Sequence, residues 1–316
     1  MADITAIILA GNEEVHIGRA IVCLQRICQR VVVVDSYSTD STVQIARELG
    51  AEIYQNSWIN YADQFRWALE NCAIDTEWIM RFDADECFEA DLIDEINSRL
   101  PKLPLEITGI NLRRRHYFMG DWVRYGGRYP LILLRIWRRE AAKIEQRWMD
   151  EHIYLLRGSA LTFENDFADK SLFDAVQWTN KHVGYADREA VDVLLQKHGI
   201  GLSCESISQH GGSFQARLKR WFKERLYNRL PFLMGPLFYF LYRYIIQRGL
   251  FDNQGGRAYH ILQGLWYRTM VDVRLIELEK ATQHCVTNDE RIQILEAVTG
   301  LKLRNFLASL RKMAAQ

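Results

Sequence analysis

The chain reads as an α/β protein built on a doubly wound, Rossmann-like sheet, and three observations carry that reading. Apolar runs alternate with segments of helical spacing through the first hundred residues, the pattern of strands joined by right-handed crossovers. Val31-Val32-Val33-Val34-Asp35 is β-branched and unbroken, as expected for a strand buried on both faces. Polar and acidic residues follow three of the strands directly, at Asn12-Glu13-Glu14, Asp35 and Asp83/Asp85. In such sheets ligands sit beyond the carboxyl ends of the strands, so all three groups should line one crevice.

The elements follow in order. Ile4 to Ala10 is an apolar strand stopped by Gly11-Asn12. His16 to Cys28 has helical spacing, with Ile17, Ala20, Ile21, Leu24 and Ile27 on one face. Val31 to Asp35 is the second strand. Ser41 to Leu49 is a helix stopped by Gly50, and Ala51 to Tyr54 is a short strand. Tyr61 to Cys72 is helical, Trp78 to Phe82 is the fourth strand, and another helix begins near Glu89. Later, Tyr259 to Glu279 and Asp289 to Leu310 read as helices.

The strand ending in Phe82-Asp83-Ala84-Asp85-Glu86 carries the most chemistry. Hard divalent cations such as Mg²⁺ or Mn²⁺ prefer oxygen ligands and take only one or two carboxylates from a protein, leaving the rest to phosphate and water. Asp83 and Asp85 therefore look like a site for a metal-bound diphosphate, against the plainer reading of an acidic loop capping the next helix. Asp35, at a strand end, can accept hydrogen bonds from a base or ribose. Asp40 and Ser41 read as caps of the following helix.

Taken together, Ala-Ile-Ile-Leu-Ala-Gly-Asn-Glu-Glu from Ala6, Val-Val-Asp-Ser-Tyr-Ser-Thr-Asp-Ser-Thr from Val33 and Phe82-Asp-Ala-Asp-Glu86 resemble the signature of family 2 glycosyltransferases with the GT-A fold. Gln64 to Leu69, Trp178 to Ala190, Arg248 to Asp252, Gly255-Gly256 and Trp266-Tyr267-Arg268 resemble one bacterial subgroup, which includes lipopolysaccharide-core β-1,4-glucosyltransferases. The likeness covers roughly residues 1 to 280.

The resemblance implies a mixed GT-A sheet over residues 1–212 and a helical, membrane-associating region over 213–316. It implies that Asn12, Glu13 or Glu14, and Asp35 meet the uridine part of a nucleotide-sugar donor. Arg66 would join these donor contacts. Asp83 would lie at the ribose or diphosphate, and Asp85 at Mg²⁺ or Mn²⁺. Inverting members use a carboxylate base supplied after the middle of the chain. The matching stretch is Trp148-Met149-Asp150-Glu151-His152, where Glu151 aligns with the usual base and Asp150 is its competitor. One carboxylate base without a second carboxylate nucleophile implies inversion. The implied donor is a UDP-hexose, UDP-glucose first. The implied acceptor is a lipid-linked glycan, either lipopolysaccharide core or a polyprenyl-diphosphate saccharide of an O-antigen, exopolysaccharide or capsule. Glu151 speaks against a non-catalytic sugar-nucleotide-binding protein. The acidic Glu13-Glu14 speaks against a nucleotidyltransferase, and Cys87 against an Asp-x-Asp-x-Thr phosphatase.

At 316 residues the chain can hold one large domain and an appendage. Lys plus Arg and Asp plus Glu both number 40, so the overall balance argues against nucleic acid. Six scattered cysteines without a Cys-x-x-Cys pair read as reduced thiols in a cytosolic setting. Met1-Ala2-Asp3 runs straight into a strand, so no signal peptide is expected and the protein is placed on the inner face of the cytoplasmic membrane.

Neutrality hides two basic stretches. Eight arginines stand between Arg113 and Arg139 against Asp121 alone, and of these Arg135 is singled out for a phosphate, by its bidentate fork. Phe214 to Leu250 holds eight basic residues against Glu224, interleaved with ten aromatics. Its longest uncharged apolar run, Leu230 to Tyr242, has thirteen residues, short of the ~20 a spanning helix needs. It therefore reads as an amphipathic contact with an anionic membrane surface.

Overall fold

The computed structural model describes residues 2–145, 148, 151–200 and 232–314. Asp150 and all six basic residues from Arg217 to Arg229 lie outside the described residues.

The first half alternates as expected. Strand β1 (Ala2–Ala10) lies between β2 (Cys28–Asp35) and β4 (Trp78–Asp83), parallel to both, and β3 (Glu52–Gln55) extends the sheet beyond β2. The period-two pleat of β1 sends Ile4, Ala6 and Ile8 to one face and Ile7 to the other, and both faces are covered. Helices α1 (Ile17–Leu24), α2 (Thr42–Glu48) and α4 (Ala90–Arg99) pack on the first face, α3 (Tyr61–Asn71) on the second. Helix α1 ends four residues before its expected limit, because Ile27 and Cys28 turn into β2, where Cys28 pairs with Ala2.

Beyond β4 the sheet becomes mixed. The strands β5 (Glu86–Phe88), β6 (Ile107–Phe118), β8 (Leu131–Arg138) and β11 (Ser159–Lys170) complete the order β3-β2-β1-β4-β8-β6-β11-β5, with β7 (Asp121–Trp122) beside β6. β8 is antiparallel to β4 and β6, β6 is parallel to β11, and β5 is antiparallel to β11. Strands β9 (Ala142–Ile144) and β10 (Ile153–Leu155) form a separate antiparallel pair whose connection carries Glu151.

The remaining chain is helical. The long α5 (Ala175–Lys197) opens on a capping box in which Asp174 accepts from the Gln177 amide. Then come α6 (Met234–Leu241), α7 (Gln254–Ile261), α8 (Tyr267–Thr282), α9 (Asn288–Thr299) and α10 (Leu303–Ala314). One π-turn follows α6, at Tyr242–Ile246, and another joins α7 to α8, at Leu262–Trp266. Gly300, at φ +70°, separates the last two helices, where the sequence pattern reads a single one.

Two buried seams join the helices to the sheet. In the first, Trp148 packs edge-on against Phe306, among Leu194, Leu278 and Leu307. In the second, Asp252 accepts from the amides of Arg124 and Tyr125 and pairs with His260 Nε2 at 2.7 Å, while Arg243 donates to the Gly126 carbonyl. Gly126 has φ +65°, and an added Cβ would lie 2.2 Å from the His260 ring. Gly126→Ala should therefore lower stability by about 2–4 kcal/mol, from left-handed strain and overpacking. Gly184, in mid-helix with open space around it, should behave oppositely. Gly184→Ala should add up to about 1 kcal/mol. Urea unfolding of both variants checks the pair, and equal midpoints would show the Gly126 contact to be slack.

Candidate active site

Four parallel strands end at one edge, and the expected groups gather there. Asn12 adopts φ +56° after β1 and accepts from the Thr39 amide at 2.8 Å. Its own amide donates to Ser38 Oγ, and the Glu13 amide donates to Thr42 Oγ1. Glu14 accepts from the amide of Ser41, the N-cap of α2, whose own side chain makes no capping bond. Asp40 accepts from both the amide and the hydroxyl of Thr42. These bonds lock the loop after β1 onto the loop after β2. Asp35 is fully buried beneath them, with its carboxylate on the Ser38 amide and hydroxyl and on Gln55 Nε2 at 3.0 Å.

Asp83, at the end of β4, is held by three side chains from three elements. Its Oδ1 accepts from the Tyr61 hydroxyl at 2.6 Å, and its Oδ2 lies 3.2 Å from Arg135 Nη2. Arg81 Nε is 3.7 Å away, with its guanidinium 4.0 Å from the centre of the Tyr61 ring. Desolvation pushes Asp83 upward, but Arg81 and Arg135 outweigh it and hold the carboxyl well below the usual carboxylate range. Arg135 is only 3% exposed and also pairs with the buried Glu86. Its guanidinium, singled out in the sequence for a phosphate, is enclosed by two acids and lies 5.2 Å from the centre of the Phe167 ring.

Asp85 has a different environment. Its backbone carbonyl accepts from Arg19 and from the Lys170 amide, but its carboxylate accepts no hydrogen bond from a described residue. Desolvation and the negative charge of Asp169, with smaller pushes from Asp83 and Glu13, raise it to about 7, against the opposing pull of Lys181. Lys181 reaches in from α5, 3.5 Å from Glu13 Oε1, and stays protonated well above the ordinary lysine range. Its own desolvation works against this, but Tyr185, Glu13 and Asp85 outweigh it.

Glu151 completes the group. Its Oε1 is 3.2 Å from Arg81 Nη2, so a single guanidinium bridges Glu151 and Asp83. The connection that carries Glu151 is closed by the Glu145 amide donating to the His152 carbonyl, and its Trp148 is anchored among the C-terminal helices.

Arg66 is placed elsewhere. Its guanidinium bonds Asp63 at 2.6 Å and Ser309 Oγ at 2.9 Å, tying α3 to α10. Helical spacing alone did not reveal which way that side chain turns. Sequence reasoning also missed Arg81, Tyr61 and Lys181. Arg81 had a signal, because residues two apart on a strand share a face and this one precedes Asp83 by two. Lys181 lay within a quoted motif, but nothing in the motif's spacing ties α5 to the end of β4.

A carboxylate-lined crevice at the switch from parallel to antiparallel strands is the setting of a glycosyl transferase. The chain belongs to glycosyl transferase family 2, whose model matches residues 5–164, and its mixed doubly wound sheet is a GT-A fold. It is 44% identical over 96 residues to an uncharacterized glycosyltransferase of Rickettsia felis, covering 30% of this chain and 33% of that one. It is 35% identical over 122 residues to the lipopolysaccharide core biosynthesis glycosyltransferase LpsC of Rhizobium meliloti, covering 37% and 44%. The chain thus spans about a third of the length of the Rickettsia relative and under half of LpsC. Among solved structures it is similar to mannosyl-3-phosphoglycerate synthase from Rubrobacter xylanophilus, at 15% identity over 62% of this chain and 74% of that one, with TM-score 0.40.

The Arg135 pairing makes a direct prediction. Removing one partner of a buried pair costs about 3–5 kcal/mol, because the other charge is left uncompensated. Arg135→Met should lower the urea midpoint by that order, and adding Glu86→Gln should restore part of the loss. A single variant as stable as the parent would mean that Glu86 is neutral in the native state.

Proposed function

We propose that the chain is an inverting, metal-dependent hexosyltransferase that moves glucose from UDP-glucose onto a lipid-linked glycan, with lipopolysaccharide core the preferred acceptor. The observation that carries the reading is the convergence of Asp83, Asp85 and Glu151 at one strand edge, with Arg81 between the first and the last. Family membership sets the reaction type, and the name of the LpsC relative supports the acceptor class. The proposal keeps residues 1–212 as the catalytic part and 213–316 as the appended helical part.

The donor set suits a hard cation. Asp85 has an unbonded carboxylate in a field of other acids, an arrangement a positive ion relieves. Among the described residues no three His, Cys, Asp or Glu side chains cluster into a full metal cage. That fits Mg²⁺ or Mn²⁺, which takes few protein carboxylates when a diphosphate supplies oxygens. Held by Asp85 with Asp83 adjacent, such an ion would supply Lewis-acid neutralisation of the leaving diphosphate. Asp83 is kept ionised by its two arginines. Lys181 offers a second fixed positive charge at the same place. Asn12, Glu13, Glu14 and Asp35 shape the uridine end, where Asp35 and Glu14 act by fixing the two loops. Glu151 accepts the proton of the attacking hydroxyl, and Arg81 holds it in register with Asp83. Positioning of this kind and base catalysis each lower the barrier substantially, the base by roughly 10²–10⁴ in rate.

A screen of nucleotide sugars with Mn²⁺ should show slow hydrolysis of UDP-glucose that EDTA stops. Asp85→Ala should abolish turnover. Glu151→Gln should lower it at least about a hundredfold while calorimetry shows donor binding unchanged, and Asp150→Asn should cost less. The reverse ranking of the last two would move the base to Asp150.

The proposed setting is the cytoplasmic face of a membrane. No helix among the described residues is long and apolar enough to cross one. Around α6 and its π-turn, however, Phe232, Leu237, Phe238, Tyr242, Ile245, Ile246 and Phe251 are all at least 40% exposed. They adjoin the basic run from Arg217 to Arg229 in sequence, a combination suited to an anionic interface. The protein should co-sediment with anionic but not neutral liposomes, less so at high salt, and Phe238→Ser with Ile246→Ser should release it. A supernatant wild type at low salt would make these residues a cover for another part of the chain.

A further inference from the structure

Beside the proposed transfer site lies a second group of cations for which that reading has no use. Asp169, paired with Glu86 across β11 and β5, stands next to the metal-site acid and meets His116 Nδ1 at 2.9 Å and Arg114 at 3.4 Å. His116 packs on Tyr259, with ring centres 4.7 Å apart. Arg128 lies 5.3 Å and Arg243 5.8 Å from the centre of the same ring. Arg243 and Arg268 flank Tyr239 at 5.4 and 5.5 Å. Desolvation would raise the Tyr239 phenol, but Arg243, Arg268 and Arg128 together hold it below its ordinary range.

Among the described residues, acids are paired with some of these cations and not with Arg128. Asp169 answers Arg114, and Glu189 answers Arg268 at 2.5 Å, with Asp272 also near Arg268. Arg243 donates to the Gly126 carbonyl and to Gln263 and contacts His260. Arg128 is half-buried, and its guanidinium makes neither an ion pair nor a hydrogen bond to a described residue. Arg128 Nε, Arg114 Nε and His116 Nε2 are all buried without a partner among the described residues. Buried donors are normally satisfied, and partly buried guanidinium groups are normally paired.

We propose that Arg128, beside Tyr259, and Arg268, beside Tyr239, backed by Arg114 and His116, form a receptor for an oxyanion carried by the acceptor, a phosphate ester or a sugar carboxylate. The planar fork of arginine suits either group. The proposal rests on the transferase reading, since it places the anion on the molecule that receives the sugar. An acceptor with that charge would be anchored one strand pairing away from Asp85, with its hydroxyl left for Glu151.

The test uses the full chain saturated with UDP and Mn²⁺, so that the donor site is filled. Inorganic phosphate and acetate are titrated separately by calorimetry. Millimolar binding of phosphate alone would assign a phosphate ester, and binding of acetate as well would admit a carboxylate. Arg128→Ala should weaken the bound anion about tenfold, and Arg128→Lys should recover part of it. Arg268→Gln should weaken it in parallel, with melting temperatures recorded for each variant to show that the fold is kept. No binding of either anion to wild type, or equal binding to Arg128→Ala, would overturn the proposal. UDP titrated alone is read independently, and its failure to bind would overturn the transferase reading instead.

Discussion

Two guanidinium groups around one carboxylate organise the whole crevice. Asp83 keeps only part of its water at the end of β4, and an ionised acid there is stabilised by close partners. Arg135 supplies one from β8 and Arg81 the other from β4 itself, with the Tyr61 hydroxyl of α3 as the third contact. Each partner brings something with it. Arg135 draws in Glu86 and so the start of β5. Tyr61 fixes the first turn of α3 against the sheet. Arg81 reaches the Glu151 connection. A single half-buried charge thus sets the relative placement of four elements, and the carboxylate of the neighbouring Asp85 accepts no hydrogen bond from a described residue.

The two acids of Asp-x-Asp are therefore not equivalent. Asp83 is stripped of protons by cations, whereas Asp85 is pushed to about 7 by desolvation and by the acids near it. Arg81 shares the strand face of Asp83, whereas Asp85 lies in the turn past the end of β4, out of reach of the same guanidinium groups. The basic composition of β6 resolves in the same way. Arg113 and Arg115 both turn to Asp166, at 2.9 and 2.7 Å, while Arg114, on the other face, turns to Asp169.

Much of this was legible in the sequence. The parallel strands, their order of appearance and the acids at their ends follow from unbroken apolar runs and the turn residues after them. The limits of that reading are physical. Arg135 sits in a strand where alternation gives a face but not the identity of what lies across the sheet, so its partner Glu86 could not be foreseen. Arg66 belongs to a helix whose polar side meets α10, an encounter some two hundred and forty residues away in sequence. The antiparallel turn of the sheet at β8 left no local mark either, since strand direction depends on the connection and not on the residues of the strand.

Trp148 gives the order of assembly a meaning. Chains fold broadly from the amino end as they are made. By the time residue 200 has left the ribosome, every strand of the sheet and the acids at its edge can be in place. The indole that pins the Glu151 connection, however, still lacks Leu278, Phe306 and Leu307, which come last. A chain that has reached only residue 200 would thus hold Asp83 and Asp85 at the strand ends before the connection that carries Glu151 is pinned.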